Sequence, residues 1–324
     1  TPNQTFSASV NFGSSSYKTY GERNLNEALT NNTQSSISYS RVWPGTPFSM
    51  NIAATHSQNT RDSILTVGLP SINFNMTRIT PFKRKEAVGA ERWYEKIGIP
   101  LSVSLQNTVT AKENEFTDMN GIMKKMKNGL RYNTSISVPF NLKTINISPS
   151  ISYSGRVYTS EINKSWDAAN EKVLTDTVYG LSHSYDFSTG LSASTQIYGM
   201  YLFKPNKKIQ AIRHMMMPSI GFSWRPDFGK SFWGFYKEVQ VSPDGKKQKY
   251  ALHEQGIYGA PGTGESASMS FSLGNTVEMK VRSQDTTGKE ETKKVKILEA
   301  LDFTSSYNFL ADSLGWSPIS VSGR

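Results

Sequence analysis

The chain has 324 residues, no cysteine, a net charge of +10 and a mean hydropathy of -0.47. No run approaches the roughly 18 apolar residues of a membrane helix, and without cysteine there is no disulfide framework, thiolate metal site or cysteine nucleophile. Neither fact bears on strands that cross a membrane, because barrel strands mix one apolar with one polar face.

Along the chain the dominant pattern has period two. Side chains of a strand alternate between sheet faces, so alternating polarity marks a sheet with two different surroundings. Phe6, Ala8, Val10 and Phe12 alternate with Thr5, Ser7, Ser9 and Asn11. Phe48, Met50, Ile52 and Ala54 follow the same rule, as do Ile72, Phe74 and Met76, then Leu101, Val103 and Leu105, then Ile136, Val138, Phe140 and Leu142. Later come Tyr179 to Phe187, then Leu191 to Ile197 as a separate strand. Ile220 to Trp224, Ala267 to Leu273, and Leu301 with Phe303 complete the series. Several segments reach about 9 to 13 residues, longer than strands of soluble sheets and long enough to cross a bilayer at a tilt. The polar face is Ser, Thr, Asn and Gln, which suits a wet lumen and not the dry inner face of a sandwich.

Tight connections are expected at Pro44-Gly45, Asn59 to Asp62, Leu142 to Thr144, Ser188 to Gly190 and Gly274-Asn275. Long polar ones are expected at 13–34, 78–97, 112–129, 159–172, 225–264 and 284–294. Short turns on one rim and long loops on the other are a barrel habit. Two long connections in succession, 78–97 and 112–129, break that alternation, so either a strand is misplaced or the second rim also carries a long insert. Short helical turns are expected near Asp118 to Lys127. Aromatics near strand ends (Trp43, Trp93, Tyr94, Tyr158, Tyr201, Phe203, Trp224, Trp233, Trp316) fit an interfacial girdle or ordinary packing at a sheet edge. Pro70, Pro100, Pro139, Pro149 and Pro218 fall inside apparent strands, marking boundaries or a wall with weakened pairing. No repeat of fixed period points to a propeller or solenoid. The pattern predicts one all-β domain over 1–324, an antiparallel transmembrane β-barrel or a large part of one.

Chemistry is sparse. His56, His183, His214 and His253 have no helix-spaced partner, and His56 and His183 read as sheet positions. Gly259 to Ser266 has phosphate-loop glycine spacing, but Glu265 stands where lysine belongs, so it reads as a flexible loop. No nucleophile elbow occurs, and Glu113, Glu115, Asp118, Glu290 and Glu291 fall in loops without a catalytic spacing. No enzyme activity, metal or cofactor is expected. The basic clusters Lys83-Arg84-Lys85, Lys124-Lys125 with Lys127, Lys246-Lys247 with Lys249, and Lys293-Lys294 with Lys296 are solvated loops or contacts to anionic partners. No nucleic-acid module accompanies them, which ranks lipid phosphate above nucleic acid. Lys83, Arg84, Lys85, Lys124, Lys125 and Lys127 are the candidate lipid-phosphate contacts.

Three segments carry a family resemblance. The stretch from Arg213-His214 through Pro218-Ser219 to Phe222-Ser223-Trp224-Arg225-Pro226-Asp227-Phe228 resembles a strand of LptD, the lipopolysaccharide-assembly protein, in its Bacteroidetes-type branch. Leu69 to Met76 with Pro81-Phe82-Lys83, and Tyr307 to Ser313 leading to Trp316 through Ser320, are similar to other segments of that branch. The resemblance implies a barrel of about two dozen strands in the bacterial outer membrane. It also implies a plug lipoprotein of the LptE type, delivery of lipopolysaccharide from the periplasmic Lpt bridge, and sideways release between the first and last strands. Neither a jellyroll, a plug nor a signal peptide is recognisable, and the cysteines of the proteobacterial branch are missing. The chain is therefore expected to be an internal part of the barrel. A TonB-dependent receptor or porin, or a non-membrane all-β surface domain, remain the alternatives on pattern alone.

Overall fold

The computed structural model describes residues 3–11, 32–59, 61–86, 88–204, 207–282 and 292–324. Phe12, most of the 13–34 connection, and Glu290 and Glu291 lie outside them. The strands in chain order are β1 (Gln4–Ser9), β2 (Asn32–Val42), β3 (Phe48–Asn59), β4 (Ile64–Ile79), β5 (Ile99–Lys112), β6 (Lys127–Ser137), β7 (Phe140–Leu142) and β8 (Ile145–Asp167). They continue as β9 (Lys172–Ser194), β10 (Ile197–Leu202), β11 (Ile209–Arg225), β12 (Tyr236–Gln240), β13 (Lys247–Ala251), β14 (Ser266–Arg282), β15 (Thr292–Asn308) and β16 (Ser320–Gly323). The one α-helix among the described residues, α1 (Met119–Lys125), falls where helical turns were expected.

Fourteen strands form one antiparallel sheet in the order β1-β2-β3-β4-β5-β6-β8-β9-β11-β14-β15-β16, with β7 beside β8 and β10 beside β11. The long amphipathic strands are thus as expected; the described sheet runs as an open path from β1 to β16. β12 and β13 make a separate two-stranded sheet.

Antiparallel order sorts the connections onto two rims. The upper rim carries the turn at 60–63, the loop 113–126 with α1, the β8–β9 turn, the 226–265 insertion and the β15–β16 loop. The lower rim carries 43–47, the long loop 80–98, the β7–β8 turn and the β10–β11 turn. The successive long connections thus sit on opposite rims, and the second rim does carry a long insert.

Three expected boundaries are corrected. Ser188 to Gly190 is the interior of β9 and Gly274-Asn275 the interior of β14. Their glycines serve close cross-strand packing: a Cβ on Gly190 meets the Ser150 hydroxyl at 2.9 Å, and one on Gly274 meets Asp302 at 2.9 Å. The 159–172 segment is no loop either. β8 and β9 are 23 residues each and pair down to Asp167 and Lys172. The tip is closed by the Asp167 carboxylate, which accepts from the Ala169 and Asn170 amides.

Pro149 and Pro218 explain two apparent strand breaks. Both edges of each break share one register, β6 and β7 against β8, and β9 and β10 against β11. At each gap the partner amide donates to the proline carbonyl, Val138 to Pro149 and Thr195 to Pro218, and the proline has no N–H to return. Pro70 follows a cis peptide bond at a register shift between β4 and β5, Pro100 lies at the start of β5, and Pro139 lies between β6 and β7.

Buried apolar clusters lie only near the upper rim among the described residues. Ile162, Val239, Tyr250 and Leu252 form one; Val109, Ala111 and Ile122 form the other. Among the described residues only the small β12-β13 sheet packs on the large one, at the upper rim, and the rest of its polar face carries no apolar layer.

Candidate functional site

Cross-strand register assembles the alternating residues into continuous rows. One apolar row runs Phe6, Tyr39, Ile52, Ile72, Leu105, Leu130, Val157 and His183 from β1 to β9. One residue along, on the other face, runs Thr5, Ser40, Asn51, Asn73, Ser104, Arg131, Arg156 and Ser184. In the second half the polar face shows Asn146, Ser194, Ser219, Ser272, Thr304 and Ser320, while Pro218, Leu273, Phe303 and Val321 share the apolar face. Large apolar side chains such as Ile151, Leu191, Ile220 and Phe222 are left exposed. Leaving so much apolar surface in water is costly, at about 25 cal/mol per Å².

The polar face is joined by direct side-chain bonds. Ser104 donates to Asn73 at 2.7 Å, Asn51 to Ser40 at 2.8 Å, and Arg156 pairs with Asp186 at 2.6 Å. Around Pro218 the apolar face has a groove of about 550 Å³ lined by Ile145, Ala193, Ile220, Leu273 and Phe303.

The upper end of the polar face is covered by the 226–265 insertion. The Tyr158 hydroxyl donates to the Gly259 carbonyl at 2.6 Å, and His253 stacks on Tyr158 at 4.6 Å. His253 also meets the Ser182 hydroxyl at 2.9 Å, and Tyr258 donates to the Ser104 carbonyl at 2.9 Å. The insertion thus starts at β11 and touches β9, β8 and β5. β12 and β13 dock by Val239 and Tyr250, with Leu252 just beyond β13, on Ile162 of the projecting β8–β9 hairpin. Tyr158, grouped by sequence with rim aromatics, is instead 2% exposed under this cap. Phe228, on the same insertion, is fully buried against Phe187, Trp233 and Phe235.

Two of the family-motif residues, Arg225 and Asp227, hold this cap shut. Arg225 donates to the Thr263 and Gly264 carbonyls, at 3.4 and 3.1 Å. Asp227 accepts from the Gly229 and Gly264 amides at 2.8 and 2.7 Å, and these two bonds lower its carboxyl pKa. The two ends of a forty-residue insertion (226–265) are thereby clasped together. Pro226 is buried between the two clasp residues. The Gly259 to Ser266 segment is therefore no free loop: its carbonyls are taken by Tyr158, Tyr236 and Arg225, and Pro261 is fully buried. Further down β11, Arg213 pairs with Glu278 at 2.7 Å on the polar face, and His214 contacts Asn275 at 3.1 Å on the other.

The candidate phosphate contacts do not converge. Lys83, Arg84 and Lys85 sit in the lower-rim loop, and Lys124, Lys125 and Lys127 at the upper rim. Lys83 pairs with Glu91, Arg84 with Glu95 and Lys125 with Glu115. Among the described residues Lys85, Lys124 and Lys127 have no ion-pair partner.

A protein-family model described as "LptD protein" matches residues 1–324, the whole chain. The chain belongs to the LptD family. No curated protein matches it. LptD proteins are outer-membrane proteins of lipopolysaccharide transport and assembly, and the chain has that role in general terms. The described structure is all-β, and no helix among the described residues is long and apolar enough to span a membrane. Sequence reasoning found the LptD motif residues but not what they do. It missed Tyr158, His253 and Tyr258 as cap contacts, because an aromatic hydroxyl bonding a carbonyl a hundred residues away leaves no local pattern.

Proposed function

We propose that this chain is a section of a closed barrel wall that guides lipopolysaccharide through its polar interior and releases it sideways into the outer leaflet. The paired rows carry the reading: a continuous Ser/Asn/Arg surface on one face and an exposed apolar surface on the other. Acyl chains must stay out of water and the phosphorylated sugar head out of hydrocarbon, so a wall of two opposite faces serves both. In hydrocarbon every backbone group needs a partner, which closure of the sheet supplies. The 226–265 cap covers the upper end of the polar face, and Pro149 and Pro218 lighten pairing in the wall. A plug lipoprotein of the LptE type and the periplasmic Lpt bridge are the partners this reading takes from the family. Lys85, Lys124 and Lys127 are its free rim contacts for lipid phosphate, one rim per cluster.

The test is a photo-crosslinker placed at Ser152 or at Ile151 in living cells. These neighbours point to opposite faces of β8. Ser152 should capture lipopolysaccharide and Ile151 membrane phospholipid. Absence of lipopolysaccharide at Ser152 would sink the reading.

A further inference from the structure

The lower part of the polar face differs from the rest. Register places Met200, Arg213, Glu278 and Lys296 in one row across β10, β11, β14 and β15. Leu202, Ala211, Lys280 and Lys294 form the next row. Strands lie about 4.8 Å apart and same-face neighbours about 7 Å along a strand. Four cations thus share a patch of about 10 by 7 Å. Glu278 is occupied by Arg213, and Lys296 by Glu299. Lys280 and Lys294 are direct cross-strand partners, both exposed, and no carboxylate pairs with either among the described residues. Like charges opposed in this way destabilise a sheet unless an anion sits between them.

Beside the cations the surface turns apolar. On the same face β10 shows Tyr198, Met200 and Leu202, all more than half exposed. The opposite face of β10 carries Ile197 and Tyr201, also exposed. Among the described residues β10 pairs only with β11, which leaves its far edge open there. The Phe203 amide bonds Gln210 of β11, so by alternation the N–H groups of Tyr198, Met200 and Leu202 point to that edge.

We propose that this ledge binds a phosphorylated amphiphile, with its phosphate between Lys280 and Lys294 and an acyl chain along β10. The cations alone would suit any phosphate; the adjoining apolar strand selects one that carries a hydrocarbon chain. A second copy of the chain at the β10 edge is disfavoured by the shared positive charge. The proposal rests on the export reading above and places one of its contacts at the lower rim.

The test uses the full-length protein with a photo-crosslinker at Met200 and, as an internal reference, at Ser152. It is reconstituted with bisphosphorylated lipid A, with the dephosphorylated lipid, or with lipid A and equimolar inorganic pyrophosphate. Met200 should label lipid A, and the double variant Lys280→Gln, Lys294→Gln should cut that yield at least tenfold. Lys280→Arg with Lys294→Arg should keep it. Labelling at Ser152 and the heat-shifted gel band should be unchanged in both, which separates lost binding from lost folding. Equal labelling by the dephosphorylated lipid, or by the Gln variant, overturns the phosphate contact. Competition by pyrophosphate at equal concentration overturns the amphiphile and leaves a free-phosphate site. A polypeptide captured at Met200 in place of lipid overturns it in favour of strand addition. If Ser152 labels and Met200 does not, the ledge falls and the export reading stands; if Ser152 fails as well, both fall.

Discussion

The Thr195 amide donates to the Pro218 carbonyl at 3.1 Å, and Pro218 has no N–H to return the bond. This one missing donor separates β9 from β10, although both keep the same register on β11. Pro218→Ala restores the donor. The new bond contributes about 1 kcal/mol, while the freer unfolded chain costs about 0.4–1 kcal/mol. The expected result is little change in global stability and a newly protected amide at position 218. Hydrogen exchange on the variant reads it directly. A fast-exchanging amide at 218 would show that the gap is held open by something other than the proline.

Asp227 is the centre of the cap clasp. Asp227→Ala removes two charge-assisted bonds at once, a local loss of about 2 kcal/mol or more. Asp227→Asn keeps an oxygen acceptor and should lose about half of that. The sheet lies outside the clasp, so the heat-modified band should not move. Trypsin should instead cut at Lys230, Lys237 or Lys249 several-fold faster in the alanine variant. Cleavage at the wild-type rate would mean that Arg225 and the Ile162 cluster hold the insertion without Asp227.

How much of this was legible follows from range. Alternation is a local signal, and it found the strands around Phe48, Ile72, Leu101, Ile136 and Ile220 because each has one wet and one apolar face. It failed at Ser188 to Gly190 and Gly274-Asn275, where small residues look like turns but make room for Ser150 and Asp302 across the ladder. The polar upper end of β8, beyond Tyr158, read as a loop since its apolar partners, Val239, Tyr250 and Leu252, come from a distant insertion. Arg225, Pro226 and Asp227 were found as a motif, yet their partners, Thr263 and Gly264, are nearly forty residues on. The ledge was half visible: Lys293, Lys294 and Lys296 stood out as a cluster, but only the register shows that Lys294 opposes Lys280 and that Lys293 points to the other face.

Glu95 ties down the long lower-rim loop. Its carboxylate is buried, accepts from Nε, Nη2 and the backbone amide of Arg84, and also accepts the Arg92 amide at 2.7 Å. The Arg84 side chain first, and then the Arg92 amide, pull its pKa from an ordinary 4.5 to about 2. A depressed carboxylate pKa contributes stability above the unfolded value that is lost as pH falls through the folded one. The loop should therefore be fully ordered at neutral pH and should loosen between about pH 4.5 and pH 2. Protection of the 84–95 amides, followed down that range, checks it. Glu95→Gln should be looser already at neutral pH and flat through the window. A wild-type loop unchanged at pH 2 would remove the ion pair as its anchor.

His253 gives the cap the opposite dependence. It is 3% exposed, stacked on Tyr158, and has a hydrogen-bond partner only at Nε2, on the Ser182 hydroxyl. Burial lowers its pKa below 6.5; nearby Glu161 works against that shift, and Arg156 and His183 reinforce it. The closed cap therefore holds neutral imidazole, and the open one takes up a proton first. For a base whose folded pKa is lowered, stability is complete above the unfolded value and declines as pH falls below it. The Gly256 and Gly259 amides, which donate within the 253–259 turn, should lose protection as pH falls below about 6.5. His253→Phe keeps a ring against Tyr158 and removes the titration. Its profile should be flat. A wild-type profile as flat as the variant's, after correction for intrinsic exchange, would mean that the cap is fastened by its clasp alone and is indifferent to the charge on His253.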